Sequence, residues 1–543
     1  MCGIYGITAK DPKFINDYIK LCHYRGPDGA NVYLDDYVTL GHNLLSTMST
    51  PKDGTQPWLT PKGNILVYNG EIFNYYDLVN QYKDFQPKTT CDTELLAWGL
   101  DTFGLDFINQ IDSMHGFAYY DRNKKEIILS RDHAGIKPVF YAETKEGLVF
   151  GSEIKGLLDK VPNARKLDQL AASFFNQTGI SALRNTFFTG IKKLLAGETI
   201  VYDIPNKKIK STKRIFIKPK HKEFNPDEFR LEVSQAVKRC AIGQRPIGVF
   251  LSGGLDSSMI AYELSKIQPV RSFTNYVTPG VNCEEDYNED ARVAKKFASE
   301  FHFQHTPVEF NLNIFEEIWQ ESAYVMEHPV YNPSMPMYCH TNRVMSNAGI
   351  VVTIAGDMGD ELLGGYPKYT ELQSLNLSSW NAVTKQWCKR LRKSVKVFTD
   401  TVPLNDLIKE FQSCYPQDLW TGDPVGSYMA LDCVTQCPED FFMRNDKYGM
   451  RYSMEGRFPL ASKRFMTYAQ SIPAPYRIQG HKKRCVIQAY RGHLPMYIIN
   501  KRKTGWTAPI GNWITGDQRN PKASKVVVLP MLIKEWSKRY LLA

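Results

Sequence analysis

A chain of 543 residues exceeds what one hydrophobic core organises, so two to four domains of ~150 residues are expected. With 43% hydrophobic and 23% charged residues it has the composition of an ordinary folded protein, which excludes collagen-like, coiled-coil and disordered classes. The net charge of +10 invites a nucleic-acid partner, yet the basic excess gathers in Lys207, Lys208, Lys210, Lys213, Arg214, Lys218, Lys220 and Lys222, with no acidic residue between them. A solvated basic linker explains that stretch, and no nucleic acid is expected.

No run approaches the ~18 apolar residues of a membrane span, and the N-terminus lacks the basic and apolar regions of a signal peptide, so neither membrane nor export is expected. Eleven cysteines, an odd number scattered along the sequence, suit a reducing cytoplasm. Cys433 and Cys437 are spaced along one helix face with no histidine nearby, and no metal is expected there.

In chain order, residues 1–205 carry short strand-like runs such as Ile65–Tyr68, Ile127–Leu129 and Leu148–Phe150, broken by Gly, Asp and Pro, and predict a strand-rich α+β domain. Residues 206–226 form the linker. From Asp227 helical spacing begins (Phe229, Val233, Val237), and after Ile247 buried-type strands alternate with helices: Ile247–Leu251, a helix from Ser257, Arg271–Val277, a helix over Glu289–Phe301, then Gly349–Ala355. That order predicts an α/β domain with a parallel sheet over 227–543, helix-rich from about Tyr369. The tail Lys525–Leu529 reads as a packed strand or a partner contact.

Two regions carry chemistry. Removal of Met1 would give Cys2 a free α-amine, with a reference pKa of about 7.7 to 8.0, to serve as base for its own thiol. Asn69 and Gly70 can offer an amide and a backbone N–H to an oxyanion, and Asp92 can pair with an ammonium. Further on, the strand Ile247–Leu251 runs into Ser252-Gly253-Gly254-Leu255-Asp256-Ser257-Ser258 and then a helix, an anion cradle without the lysine of γ-phosphate loops. Asp256 suits Mg²⁺ beside phosphate oxygens. A second loop, Ala355-Gly356-Asp357-Met358-Gly359-Asp360-Glu361, offers Asp360 as a second Mg²⁺ ligand and Asp357 as a base toward an amine.

The set Cys2-Gly3-Ile4, Arg25-Gly26-Pro27-Asp28, Asn69–Asn74, Asp92-Thr93-Glu94, Arg131-Asp132, Gly135–Pro138 and Ser152–Lys155 resembles class II glutamine amidotransferase domains, N-terminal-nucleophile hydrolases with stacked sheets between helices. The loops at 252–258 and 355–361, with Asn332–Tyr338, Ser453–Pro459 and Arg502–Trp506, resemble the synthetase half of glutamine-hydrolysing asparagine synthetases.

The resemblance implies that glutamine is hydrolysed at Cys2 through a thioester. It further implies that ATP adenylylates the aspartate side chain with release of pyrophosphate, and that ammonia then yields asparagine and AMP. It implies glutamine contacts at Leu44, Met48, Asn69, Gly70, Glu71 and Asp92. For ATP and pyrophosphate it implies Leu251, Ser252, Gly253, Gly254, Asp256, Ser257, Ser258, Asn275, Ala355, Gly356 and Lys483 or Arg484; Asp286 aligns with a further acidic position. Small-molecule substrates and a homodimer fit the same resemblance.

Four positions depart from the family pattern: Leu44 where an arginine grips the glutamine carboxylate, Ala355 for serine, Asp357 for glutamate and Ser462 for aspartate. The alternatives are an amide ligase acting on another carboxylate and a catalytically degraded binding or regulatory relative. The departure at Leu44 predicts weak glutamine binding, a substitute for the arginine, or ammonia as the better nitrogen source.

Overall fold

The computed structural model describes residues 2–278, 286–389, 397–480, 482–504, 507–517 and 524–542. In chain order the strands of the N-terminal half are β1 (Cys2–Ile7), β2 (Gly29–Leu34), β3 (Thr39–Leu44), β4 (Trp58–Leu59), β5 (Ile65–Ile72), β6 (Ser113–Asp121), β7 (Glu126–Arg131), β8 (Phe140–Glu143), β9 (Leu148–Gly151), β10 (Lys192–Lys193), β11 (Glu198–Asp203) and β12 (Lys208–Arg214). They form two sheets with orders β10-β8-β9-β1-β3-β2 and β12-β11-β7-β6-β5-β4.

Ile4, Leu40 and Phe150 of one sheet meet Val67, Ala118 and Leu129 of the other in a shared core. On the outer faces Tyr5 and Ile7 pack under the helix Pro12–Leu21, while Tyr68 and Phe117 pack under the helix Asp92–Phe103. Sheets covered on both faces bury every residue of a central strand, so β1 and β3 are buried throughout and lack the alternation of a half-exposed strand. This is the α+β sandwich of stacked sheets between helices expected for residues 1–205.

The parallel sheet comprises β13 (Ile247–Phe250), β14 (Arg271–Val277), β15 (Gln304–Phe310), β16 (Val352–Ile354) and β17 (Glu455–Arg457), in the order β15-β14-β13-β16-β17. Every neighbouring pair is parallel. Because β13 and β16 are adjacent, the loops leaving their C-terminal ends lie side by side, where open α/β sheets bind ligands. Helices dominate from Pro367 onward.

Two expectations change. The basic stretch is not simply a linker: Lys208–Arg214 is the edge strand β12, paired to β11, so the first sandwich continues past residue 205. Alternating lysines on an edge strand stay solvated and discourage pairing with other proteins, which is why the segment reads as a polar linker. The tail is helical, with a turn at Ser524–Val528 leading into the helix Leu529–Tyr540, whose Leu529, Ile533 and Trp536 are buried. Among the described residues, no helix is long and apolar enough to cross a membrane.

The two halves meet through buried charges. Arg25 donates to Glu153 at 2.6 Å and to Asp446 at 2.8 Å. Lys447 pairs with Glu153 at 2.7 Å and also with Glu327, which accepts the backbone N–H groups of Ile154 and Lys155 at 2.8 Å each. Removing one member strands its partners without water, typically at a cost of about 3–5 kcal/mol. Glu327→Ala is therefore expected to lose about that much stability in a denaturant titration, whereas a loss below about 1 kcal/mol would mean that the network is not holding the halves together.

Candidate active sites

The first site forms where β1, β3 and β5 meet. The Cys2 backbone N–H donates to Asn69 Oδ1 at 2.9 Å, which leaves the buried Asn69 Nδ2 without a hydrogen-bond partner among the described residues. A buried donor left unpaired is costly and is the group an incoming oxyanion would satisfy. Burial raises the Cys2 thiol above its ordinary pKa. Met1 lies outside the described residues.

Asp92 opens the helix Asp92–Phe103, and its Oδ2 accepts from Tyr68 Oη at 3.0 Å and from the Ile72 N–H at 2.9 Å. Burial pushes its pKa up to about 6 against those two hydrogen bonds.

Other positions named from sequence are placed as follows. Gly70 follows Asn69 on β5, opposite His115, and a Cβ there would lie 2.2 Å from the Met114 carbonyl oxygen. Glu71 is buried, its Oε2 held by Arg457 Nη2 at 2.9 Å, and burial raises its pKa well above the usual carboxylate range. Met48 packs against Leu66, Tyr68 and Ile72. Leu44 is paired directly across from Cys2.

Sequence reasoning misses the reach of β17 into this site. Arg457 holds Glu71 and also Glu455 at 2.6 Å, and the negative charge of Glu455 is felt by the Cys2 thiol. The one sequence signal is a pair of charged residues inside a short strand motif.

The second site lies at the ends of β13 and β16. Gly253 has φ +68, and a Cβ there would stand 2.9 Å from the Ala294 nitrogen, so glycine is required. Ser252 and Ser257 hydroxyls share a 2.9 Å hydrogen bond, Gly254 N–H donates to Ser252 Oγ at 3.3 Å, and the buried Ser258 Oγ has no partner among the described residues. Leu251 is buried behind the loop, its N–H on the Phe273 carbonyl at 2.9 Å.

Asp256 sits close against the second loop: a Cβ on Gly356 would come within 2.9 Å of its Cβ, and one on Gly359 within 2.7 Å of its carboxylate. Lys483 links the carboxylates, paired with Asp256 and, at 2.6 Å, with Asp360. Lys503 also pairs with Asp360. Although burial opposes it, these two lysines hold Asp360 down to about 2. Burial raises Asp256 instead, and its Oδ1 has no hydrogen-bond partner among the described residues.

Lys483, and not Arg484, is the cation at the carboxylates: Arg484 donates to Gln479 at 2.7 Å and lies over the Tyr476 ring. Asn275 on β14 donates to Thr341 Oγ1 at 2.6 Å, and Ala355 is buried at the end of β16. Asp357 faces Arg444 at 3.5 Å and Asn445 at 3.4 Å, with burial raising its pKa. Asp286 is turned to Arg292. Gly505 and Trp506 of the motif beginning at Arg502 lie outside the described residues.

Two neighbouring carboxylates, of which Asp256 keeps an oxygen without a hydrogen-bond partner among the described residues, fit the donor set that Mg²⁺ takes from protein when phosphate oxygens complete its shell. Among the described residues, no group of three or more His, Cys, Asp or Glu residues converges to cage a metal by itself.

These features define a class: a two-sheet sandwich with a buried cysteine on its first strand, joined to a parallel-sheet unit with a glycine-rich loop at the strand ends. Residues 228–526 match the asparagine synthase family and residues 1–214 a glutamine amidotransferase domain, and the chain belongs to the asparagine synthase family. Asparagine synthetase (glutamine-hydrolyzing) 2 of Bacillus subtilis is 28% identical over 516 residues, 87% of this chain and 67% of its own length. A putative asparagine synthetase (glutamine-hydrolyzing) 2 of Methanocaldococcus jannaschii is 27% identical over 76% of this chain and 83% of its own. The solved allosteric regulatory enzyme of purine biosynthesis aligns with 57% of this chain and 80% of its own, at 12% identity and a TM-score of 0.32.

The departure at Ser462 has a structural account. Ser462 caps the helix Lys463–Ser471 by accepting from the Phe465 N–H at 3.3 Å, a task serine and aspartate share. Asp112 of the first sandwich accepts from the next two N–H groups, of Lys463 and Arg464. Ser462→Ala is expected to cost ~0.5–2 kcal/mol and Ser462→Asp close to nothing in chemical denaturation; equal losses for the two would show that the hydroxyl does not act as a cap.

Proposed function

We propose that the protein is an ATP-dependent, AMP-forming amide ligase that converts aspartate to asparagine, with nitrogen released from an amide donor at Cys2 or taken as free ammonia. The observation that carries the reading is the joint retention of both chemical sites in one chain of this family: the unpaired Asn69 amide beside Cys2, and Asp256 and Asp360 beneath a glycine cradle.

At the first site, loss of Met1 frees the Cys2 α-amine as base for the thiol. The thiolate attacks the carbon of the donor's side-chain amide, Asn69 Nδ2 and the Gly70 N–H take the oxyanion, and ammonia departs to leave a thioester that water hydrolyses. Asp92 holds the donor ammonium.

At the second site, the Ser252–Ser258 loop and the helix N-terminus behind it hold the triphosphate, with Asn275 and Ala355–Gly356 beside the nucleotide. Asp256 and Asp360 would hold Mg²⁺, which neutralises phosphate charge as pyrophosphate leaves. Lys483 and Lys503 offset the charge of that leaving group. Attack of the aspartate β-carboxylate on the α-phosphorus gives an acyl-adenylate. Asp357, made more basic by burial, takes a proton from the ammonia that displaces AMP. The buried thiols fit a cytosolic setting.

Cys2→Ala is expected to abolish amide-dependent asparagine formation and to spare the ammonium-dependent reaction, while Asp256→Ala abolishes both. Asn69→Ala should lower kcat for amide hydrolysis by ~10²–10³. Equal effects of Cys2→Ala and Asp256→Ala on the two nitrogen sources would overturn the two-site reading.

Asp92 must be ionised to hold an ammonium, and its raised pKa of about 6 puts that requirement near neutrality. KM for the amide donor is therefore expected to be flat above about pH 7 and to rise about tenfold per pH unit below about 6. A KM independent of pH across this range would remove Asp92 from donor binding.

A further inference from the structure

When the β-carboxylate of the acceptor attacks phosphorus, its α-ammonium and α-carboxylate remain to be met by protein, because a charge taken from water without a partner is costly. Groups of both signs stand side by side at the second site. The helix Met443–Arg451 places Arg444 against the loop after β16, with Nη2 3.5 Å from Asp357 Oδ1 and Nη1 3.3 Å from Asp440 Oδ1. Both contacts are longer than the ~2.7–2.9 Å of a well-formed charge-assisted bond. The buried Arg444 Nε has no hydrogen-bond partner among the described residues. A guanidinium carries five donors, and this one is sparsely used.

Its place is fixed. The guanidinium carbon lies 4.7 Å from the Phe441 ring centre and 5.5 Å from that of Tyr338, which stacks on Phe250 at the end of β13. Two and three residues further along the helix, Asp446 and Lys447 are locked into the charges between the halves. Asp440 and Phe441 belong to a π-helical turn, Cys437–Phe442, inserted between two α-helices, and such insertions are frequent at functional sites. The side chains of Arg444, Asp440 and Asp357 keep 14%, 19% and 17% of their exposure, so a solute can reach them, unlike the enclosed Arg25 and Arg457. The loop that carries Asp357 is also the one packed against Asp256.

One arginine beside two aspartates is a surface that a bare dicarboxylate would find repulsive. An amino acid brings an ammonium for an aspartate together with a carboxylate for the arginine. Resting on the ligase reading above, we infer that Arg444 and Asp440 are the residues that recognise the acceptor as an amino acid: Arg444 takes the α-carboxylate through two of its N–H groups, and Asp440 takes the α-ammonium. The β-carboxylate is then left for the nucleotide, and Asp357 is released from Arg444 to face the incoming ammonia.

The test measures pyrophosphate release by the full chain with Mg-ATP and ammonium, giving kcat/KM for three acceptors: L-aspartate, 3-aminopropanoate, which lacks the α-carboxylate, and succinate, which lacks the ammonium. Arg444→Gln is expected to cut the preference for aspartate over 3-aminopropanoate at least tenfold, with Arg444→Lys restoring part of it. Asp440→Asn is expected to cut the preference for aspartate over succinate at least tenfold, and it tests the pair independently should Arg444→Gln fold poorly. An arginine that only supports Asp357 would instead slow all three acceptors by one common factor when replaced; that result, or preferences unchanged in both variants, overturns the inference and leaves the ligase reading intact. Wild-type protein that releases pyrophosphate with none of the three overturns that reading and the inference with it.

Discussion

The arrangement depends on charge buried between the two halves of the chain. Arg25, Glu153, Lys447 and Glu327 are removed from water, with Asp446 beside Arg25, and each of these charges has partners in both halves. Desolvation of this size tolerates no loose docking, because a shift that separates the halves leaves several ions unpaired at once. The same arginine that meets Asp446 also holds the Cys2 carbonyl, so the backbone at Cys2 is tied through Arg25 to a residue of the parallel-sheet half. Arg457 makes the second such link, from β17 to Glu71.

At the other site the constraint is close approach. Glycines at 356 and 359 let the loop after β16 stand against Asp256, and a larger residue at 359 would have to displace its carboxylate. Two lysines balance the two carboxylates, which keeps a concentrated negative charge tolerable in a buried place and leaves positive charge at hand for a leaving anion. The proposed ligase chemistry needs both properties at the same edge of the sheet.

Much of this is legible in the residues. The strand-turn-helix at Ile247–Leu264 and the acidic loop after β16 declare themselves because hydrophobic runs, glycine pairs and carboxylates fall at fixed local spacings. Lys503 and Arg457 stand out in the sequence only as parts of motifs, and their roles depend on segments roughly 140 and 390 residues away folding against them, which no local pattern records. The choice between Lys483 and Arg484 turns on the backbone at a helix start, where Lys483 has φ +57. β12 reads as a linker because an edge strand dressed in lysine has a linker's composition. Leu44 is the reverse case: its departure is visible at once, whereas its place directly across from Cys2 on the paired strands appears only in the fold.

The most direct measurement of the account is asparagine and pyrophosphate formation by the purified protein with aspartate and Mg-ATP, nitrogen being supplied in parallel as ammonium or as amide-¹⁵N-glutamine. The account predicts one pyrophosphate for each asparagine from either source, the glutamine reaction slower and its asparagine carrying the label. Neither product from either source, or pyrophosphate release that leaves aspartate unchanged, would contradict it.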